Sequence, residues 1–172
     1  MIRGADELSR RLIKLERAGS VENTIAAVSE SIKFVQGHAK ELCPTDDGEL
    51  RESIYTEVEV RDDVVYGICY TNKEYAPYVE MGTGPRGEAS HEGISPVITP
   101  AYSQSPWWMH ESQVDAVTAE KYGWFYIDTP EGRFYQSNGQ AAQPFMYPAL
   151  KNNEDKAAEI LGDAISAQFE RD

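Results

Sequence analysis

IYTEVEVRDDVVYGICY, Ile54 to Tyr70, contains two apolar-rich runs separated by an acidic turn. In the first run Ile54, Thr56, Val58 and Val60 alternate with Tyr55, Glu57 and Glu59, the two-residue period of a half-exposed strand. Arg61-Asp62-Asp63 then turns the chain, and Val64 to Tyr70 supplies a second strand. The pair is predicted to be a hairpin and the sheet antiparallel.

The residues on either side supply what a sheet needs to cover it. Upstream, Ile25, Val28, Ile32, Val35, Ala39 and Leu42 recur at steps of three and four, one narrow apolar seam of a helix for which Ser20 is the candidate cap. The seam is assigned to an internal core, because the sheet that follows needs a helix to cover it; a seam for a partner subunit is the alternative. Pro44 ends this helix, and Thr45-Asp46-Asp47-Gly48 makes a turn. Further upstream, Glu7 to Ala18 has Leu8, Leu12 and Leu15 at helical spacing, closed by Gly19-Ser20. Downstream, a helix is expected from about Tyr147 to Gln168. Leu150, Ala157, Ile160, Leu161, Ala164, Ile165 and Phe169 form its apolar face, and Glu154, Asp155, Glu159 and Asp163 point outward. The predicted fold class is α+β: an antiparallel sheet packed against long N-terminal and C-terminal helices, with an inserted aromatic-rich loop and hairpin.

The inserted part is residues 85–143. Prolines 85, 96, 100 and 106 alternate with Gly, Ser and aromatic residues, and Trp124 to Asp128 and Arg133 to Gln136 flank Thr129-Pro130-Glu131-Gly132 as a second hairpin. Trp107, Trp108, Trp124, Phe125, Tyr126, Phe134 and Tyr135 make this region densely aromatic. Such a cluster serves as the small core of an insertion or as an interface, because Trp and Tyr dominate binding hot spots. The expected organisation is one domain over 1–172, with 85–143 an elaboration of the sheet.

A length of 172 residues, 41% of them hydrophobic and 26% charged, matches an ordinary globular domain with a substantial core. No apolar run approaches a membrane span, and MIRGADELSRRLIKLERAG reads as a charged amphipathic helix and not a signal peptide. Action without the secretory route is therefore expected. Sixteen Lys and Arg against 29 Asp and Glu give a net charge of −13, which argues against tight sequence-independent binding to phosphate backbones. Cys43 and Cys69 lack any C-x-x-C spacing and lie among apolar residues, so both are assigned to packing as reduced thiols.

Two strings outside the hairpin carry more specific information: YAPYVEMGTG at Tyr75–Gly84 and GQAAQPFMYPAL at Gly139–Leu150. The first crowds Tyr75, Ala76, Tyr78, Val79 and Met81 around Glu80 and ends in Gly82 and Gly84, which permit positive φ or a close backbone approach. In the second, Pro144 and Pro148 bracket Phe145, Met146 and Tyr147, and Pro148 suits the first turn of a helix. Cys43-Pro44-Thr45-Asp46-Asp47-Gly48-Glu49-Leu50-Arg51, then Tyr75-Ala76, Glu80-Met81-Gly82-Thr83-Gly84 and Gln143-Pro144-Phe145 through Pro148-Ala149-Leu150 follow one another in an order that resembles the neck and tail-component proteins of long-tailed, lambda-like phages. The resemblance covers almost the whole chain.

The resemblance implies a structural protein of a siphophage-like virion or prophage, located in the neck where the DNA-filled head meets the tail and assembled in the host cytoplasm. It implies a homo-oligomeric ring, a head-closure or connector protein on one face, a tail-completion or tail-tube protein on the other, and DNA passing through without sequence-specific binding. Neither a cofactor nor a membrane is implied. Its motif or interface residues are Tyr75, Glu80, Gly82, Thr83, Gly84, Gln143, Pro144, Phe145 and Pro148, to which the aromatic cluster adds Trp107 and Trp108; the Gly and Pro among them equally set backbone shape. A tail terminator or adaptor in the same virion is the nearest alternative.

The residues offer little to an enzymatic reading. Gly82-Thr83-Gly84-Pro85-Arg86-Gly87 matches G-x-G-x-x-G, but Glu88 to Gly93 followed by Pro96 is expected neither to sustain the helix that a pyrophosphate needs nor to lead to a parallel strand. His91 and His110, each beside glutamates, offer ligands for a metal-dependent hydrolase, yet they lack the i, i+4 spacing that puts two imidazoles on one helix face. No nucleophile-elbow context surrounds any serine. The expectation is a protein without catalytic activity.

Overall fold

The computed structural model describes residues 19–46 and 48–170. The helix expected over Glu7–Ala18 lies outside the described residues. The chain divides into two compact units, one joining the residues up to Lys73 with those from Phe145, the other Glu74–Pro144.

The first unit is built on helix α1, Val21–Leu42, whose cap Ser20 accepts a hydrogen bond from the Asn23 amide at 3.3 Å. Cys43, held extended before Pro44, ends it. The buried stripe runs through Ala27, Val35 and Ala39 to Cys43. Leu42, expected in the seam, is exposed, because the stripe leaves the helix one residue later at Cys43. A single turn, α2 (Glu49–Glu52), buries Leu50 and leads into the hairpin of β1 (Ile54–Arg61) and β2 (Val64–Thr71).

The hairpin ladder is antiparallel and unbroken from Ile54 opposite Thr71 to Arg61 opposite Val64. Asp62 and Asp63, both at positive φ (49° and 62°), form a type I′ turn whose twist matches the strands. One face of the hairpin lies on α1. There Gly67 approaches so closely that a Cβ would sit 2.9 Å from Val28 Cγ1 and 3.1 Å from Ile32 Cβ. Gln36 on α1 donates to the Ile54 carbonyl at 2.7 Å, tying helix to strand.

The single C-terminal helix expected from Tyr147 is two: α6 (Met146–Lys151) and α7 (Glu154–Glu170). Asn152 and Asn153 make the break. The Asn153 side chain donates back to the Ala149 carbonyl at 2.9 Å and its own carbonyl accepts from Ala157, so one asparagine ends one helix and starts the next. The break turns Leu150 off the common apolar face and leaves it exposed, while Ala149 and Ala157 are buried. Both helices pack on α1, and Ser31 on α1 donates to the Ala157 carbonyl at 2.7 Å.

The second unit opens with short helices α3 (Ala76–Met81) and α4 (Gly84–Ala89). After an irregular run come β3 (Trp107–His110), a 3-10 turn at Glu111–Gln113, α5 (Ala116–Lys121), β4 (Tyr126–Thr129) and β5 (Gly132–Ser137). The predicted second hairpin is β4–β5, with Tyr126 opposite Tyr135 and Thr129 opposite Gly132. The strand β3 pairs with the other side of β5, giving a three-stranded antiparallel sheet in the order β3-β5-β4. The fold is α+β, its antiparallel strands divided between two sheets with long helices flanking the first.

Candidate functional site

The two sequence strings meet within the second unit. Thr83 and Gln140 form a backbone bridge, each amide donating to the other's carbonyl at 2.9 and 3.1 Å. The Gln140 amide also reaches the Thr83 hydroxyl at 3.1 Å, and its side-chain amide donates to the Tyr78 carbonyl at 2.8 Å. The Gln143 amide donates to the Val79 carbonyl at 2.8 Å. Backbone groups at the ends of α3 and α4 that lack partners within such short helices are thus satisfied by the chain at 138–143.

Gly82 is what permits the approach. Its φ is +76°, and a Cβ there would lie 2.7 Å from the Ala142 amide nitrogen and 2.9 Å from the Gln140 carbonyl oxygen. Gly84 packs against the Trp107 ring in the same way, 2.8 Å from a ring carbon to where its Cβ would be. A helix, α4, does start at Gly84, but as expected Glu88 to Gly93 does not sustain it. It ends at Ala89 after only six residues, and the sheet that follows is antiparallel, so the pyrophosphate-binding arrangement is not formed.

Around the bridge lies a groove of about 830 Å³, with Tyr75, Tyr78, Tyr102 and Trp107 among its walls and Thr83 and Gln140 at the stitched edge. Tyr102 is fixed by donating its hydroxyl to the Met81 carbonyl at 2.7 Å, and its own ionisation is pushed up by desolvation and by nearby Glu88. The Thr83 hydroxyl accepts from Gln140, so the groove offers flat apolar surface and backbone rather than an activated nucleophile.

Tyr75, Gly82, Thr83, Gly84 and Trp107 therefore converge on one groove. Glu80 lies half-buried on α3, and Gln143 and Pro144 end the second unit. Phe145 and Pro148 belong to the first unit, Phe145 with no exposed surface at all and Pro148 in the first turn of α6. Trp108 falls on the opposite face of the β3-β5-β4 sheet from Trp107, because neighbours in a strand point oppositely. The aromatic cluster divides along the same lines. Tyr135 is buried on the Trp107 face, whereas Trp108 meets Phe125 edge-on at 6.0 Å and both stay exposed with Ile127.

The two histidines are held apart in separate roles. The His91 ring stacks on Tyr102 at 5.6 Å, with Nδ1 3.1 Å from the Gly87 carbonyl. His110 caps the 3-10 turn: Nδ1 contacts the Ser112 hydroxyl at 2.8 Å and Nε2 the Glu131 carbonyl at 3.0 Å. Among the described residues no three His, Cys, Asp or Glu side chains come together as a metal site. Cys43 is buried and Cys69 half-buried, neither is joined in a disulfide, and burial pushes the Cys69 thiol up.

Tyr78, Gln140 and Tyr102 were not among the motif or interface residues expected from the sequence. The first two sit inside the quoted strings and were legible there; Tyr102 lies in irregular chain with no periodicity to mark it.

Residues 6–82 match the HK97-gp10-like family model, described as "Bacteriophage HK97-gp10, putative tail-component". No curated protein and no solved structure gives a match. The matched stretch takes in α1, the hairpin, α3 and the groove wall from Tyr75 to Gly82, while the Gly139–Leu150 string lies beyond it. Over those residues, a little under half its length, the chain is similar to phage tail components, which bears out the resemblance carried by its motifs.

Proposed function

We propose that this protein is a structural component of a siphophage-like virion, placed in the neck, where copies form a ring joining the DNA-filled head to the tail. The observation that carries the reading is the family match over residues 6–82, which takes in α1, the hairpin and one wall of the groove. Head-closure or connector protein would meet one face of the ring and tail-completion or tail-tube protein the other, with assembly in the host cytoplasm. We read the chain as one neck domain elaborated by the span 85–143. A net charge of −13 fits a conduit past which DNA slides without adhering. Among the described residues no helix is long and apolar enough to cross a membrane.

A tail terminator or adaptor is the second reading, favoured by the description of the matched family as a tail component. Cross-linking to neighbours in the particle separates the two. The hydrolase alternative gains no support from the geometry, since His91 and His110 are engaged with backbone carbonyls in separate turns.

An early stop codon in the gene of the parent phage or prophage, followed by electron microscopy of the lysate, tests the proposal. Filled heads beside free tails, rescued by the wild-type gene, are the expected outcome. Intact infectious particles would overturn it.

A further inference from the structure

The hairpin of the first unit is left with two open edges, since among the described residues its sheet contains only β1 and β2. In a hairpin closed by a two-residue turn the flanking pair exchanges both hydrogen bonds, here Arg61 with Val64. Alternation then places the N–H and C=O groups of Val65, Gly67 and Cys69 on the open edge of β2, and those of Thr56, Val58 and Val60 on that of β1. The Gln36 bond to the Ile54 carbonyl fits this parity, because Ile54 also points away from β2.

Proteins normally guard an open strand with charge, proline or a bulge. The strand β2, VVYGICYT, has none of them: eight residues without a charged side chain or proline, in a ladder of unbroken register.

We infer that β2 of one copy pairs along its open edge with β1 of the next copy, extending the hairpins into one continuous antiparallel sheet around the ring. The inference rests on the ring reading above and names its interface. Three pairings are available, and charge and closure choose among them. A β1–β1 contact opposes rows containing Glu57 and Glu59, which repel. A two-fold β2–β2 contact avoids repulsion but stops at a dimer with both β1 edges open. The β2–β1 contact sets an uncharged strand against the acidic one, as Glu57 opposite Ile68 and Glu59 opposite Tyr66 already do within the hairpin. It also uses both edges of every copy and leaves none open when the ring closes. Successive copies related by rotation keep their β1 strands co-directional, so β2 meets the next β1 antiparallel, as in the hairpin itself. A strand pair buries less than the roughly 800 Å² per partner of a stable interface, so each joint is weak until closure engages both edges.

Hydrogen exchange at residue resolution tests this on the full chain, dilute and assembled. The assembled sample is a concentrated solution or, if concentration alone does not multimerise the chain, the neck complex isolated from particles. The amides of Val65, Gly67 and Cys69 and those of Thr56, Val58 and Val60 should slow together by about tenfold or more on assembly. Slowing on β2 alone would overturn the pairing in favour of a two-fold contact or a different protein. Unchanged exchange in a demonstrated ring would overturn it and leave the ring standing, whereas a chain found in particles only as single copies would remove the ring as well. Val65→Pro takes a donor from the open edge without removing a hairpin bond. Its monomer should keep the native circular dichroism and lose assembly; a variant that still assembles would count against the inference. If it fails to fold, the exchange pattern of the unmodified chain decides the matter.

Discussion

At the scale of single residues, the structure separates glycines that are needed from one that is not. Gly82 combines a φ of +76° with backbone atoms 2.7 and 2.9 Å from where a Cβ would stand, so neither strain nor space can relax by moving a side chain. Gly82→Ala should lose about 2 kcal/mol or more in urea unfolding. Gly37, exposed on α1 with nothing near its Cβ position, should behave oppositely, Gly37→Ala gaining up to about 1 kcal/mol from helix propensity. Charge is equally local. Asp128 accepts from Arg133 Nε at 2.7 Å across the β4–β5 hairpin, and that hydrogen bond holds its carboxyl below the ordinary range; Arg133, over the Tyr126 ring at 3.9 Å, is pushed up by the same bond. A carboxylate lowered in the folded state contributes stability above its unfolded value of about 4 and loses it as pH falls through the folded value. A carboxyl NMR titration should therefore show Asp128 with a low midpoint, and Arg133→Gln should return it to the usual range.

At the scale of elements, the fit of the hairpin on α1 depends on Gly67. Gly67→Ala places a methyl 2.9 Å from Val28 Cγ1, which a β-branched side chain cannot easily swing away. A loss of about 1–3 kcal/mol is expected, and Val28→Ala in the same chain should recover part of it, a coupling measurable by a double-mutant cycle. The same scale shows what was legible. Helix α1 announced itself through its apolar period and both hairpins through strand-forming runs on either side of recognisable turn residues. The strand β3 did not, since four residues among prolines give no alternation to count. Nor did α4, a helix of Gly, Pro, Arg, Gly, Glu and Ala whose ends are satisfied by a segment more than fifty residues away. The break at Asn152–Asn153 was hidden because the apolar period continues across it. Motif order located one wall and the stitched edge of the groove, but Tyr102 came from chain without pattern.

For the whole molecule, a charge of −13 predicts no retention on immobilised duplex DNA at physiological salt, and none when salt is lowered severalfold, where a basic protein would bind far more tightly. A binding curve that steepens at low salt would contradict the passive-conduit reading. The first unit is assembled from two separated pieces of chain, with Glu74–Pro144 made in between. That order has a temporal side. On the ribosome α1 and the hairpin emerge early, yet Phe145, Ala149 and Ala157, which complete their core, arrive only after about seventy further residues, several seconds of synthesis at 5–20 residues per second. During that interval the nascent chain holds an unguarded β2 strand beside an unfinished core, while every other copy translated on the same message holds the same strand. If β2 pairs between copies as inferred above, that interval is also a window for premature self-pairing, and slow translation would widen it.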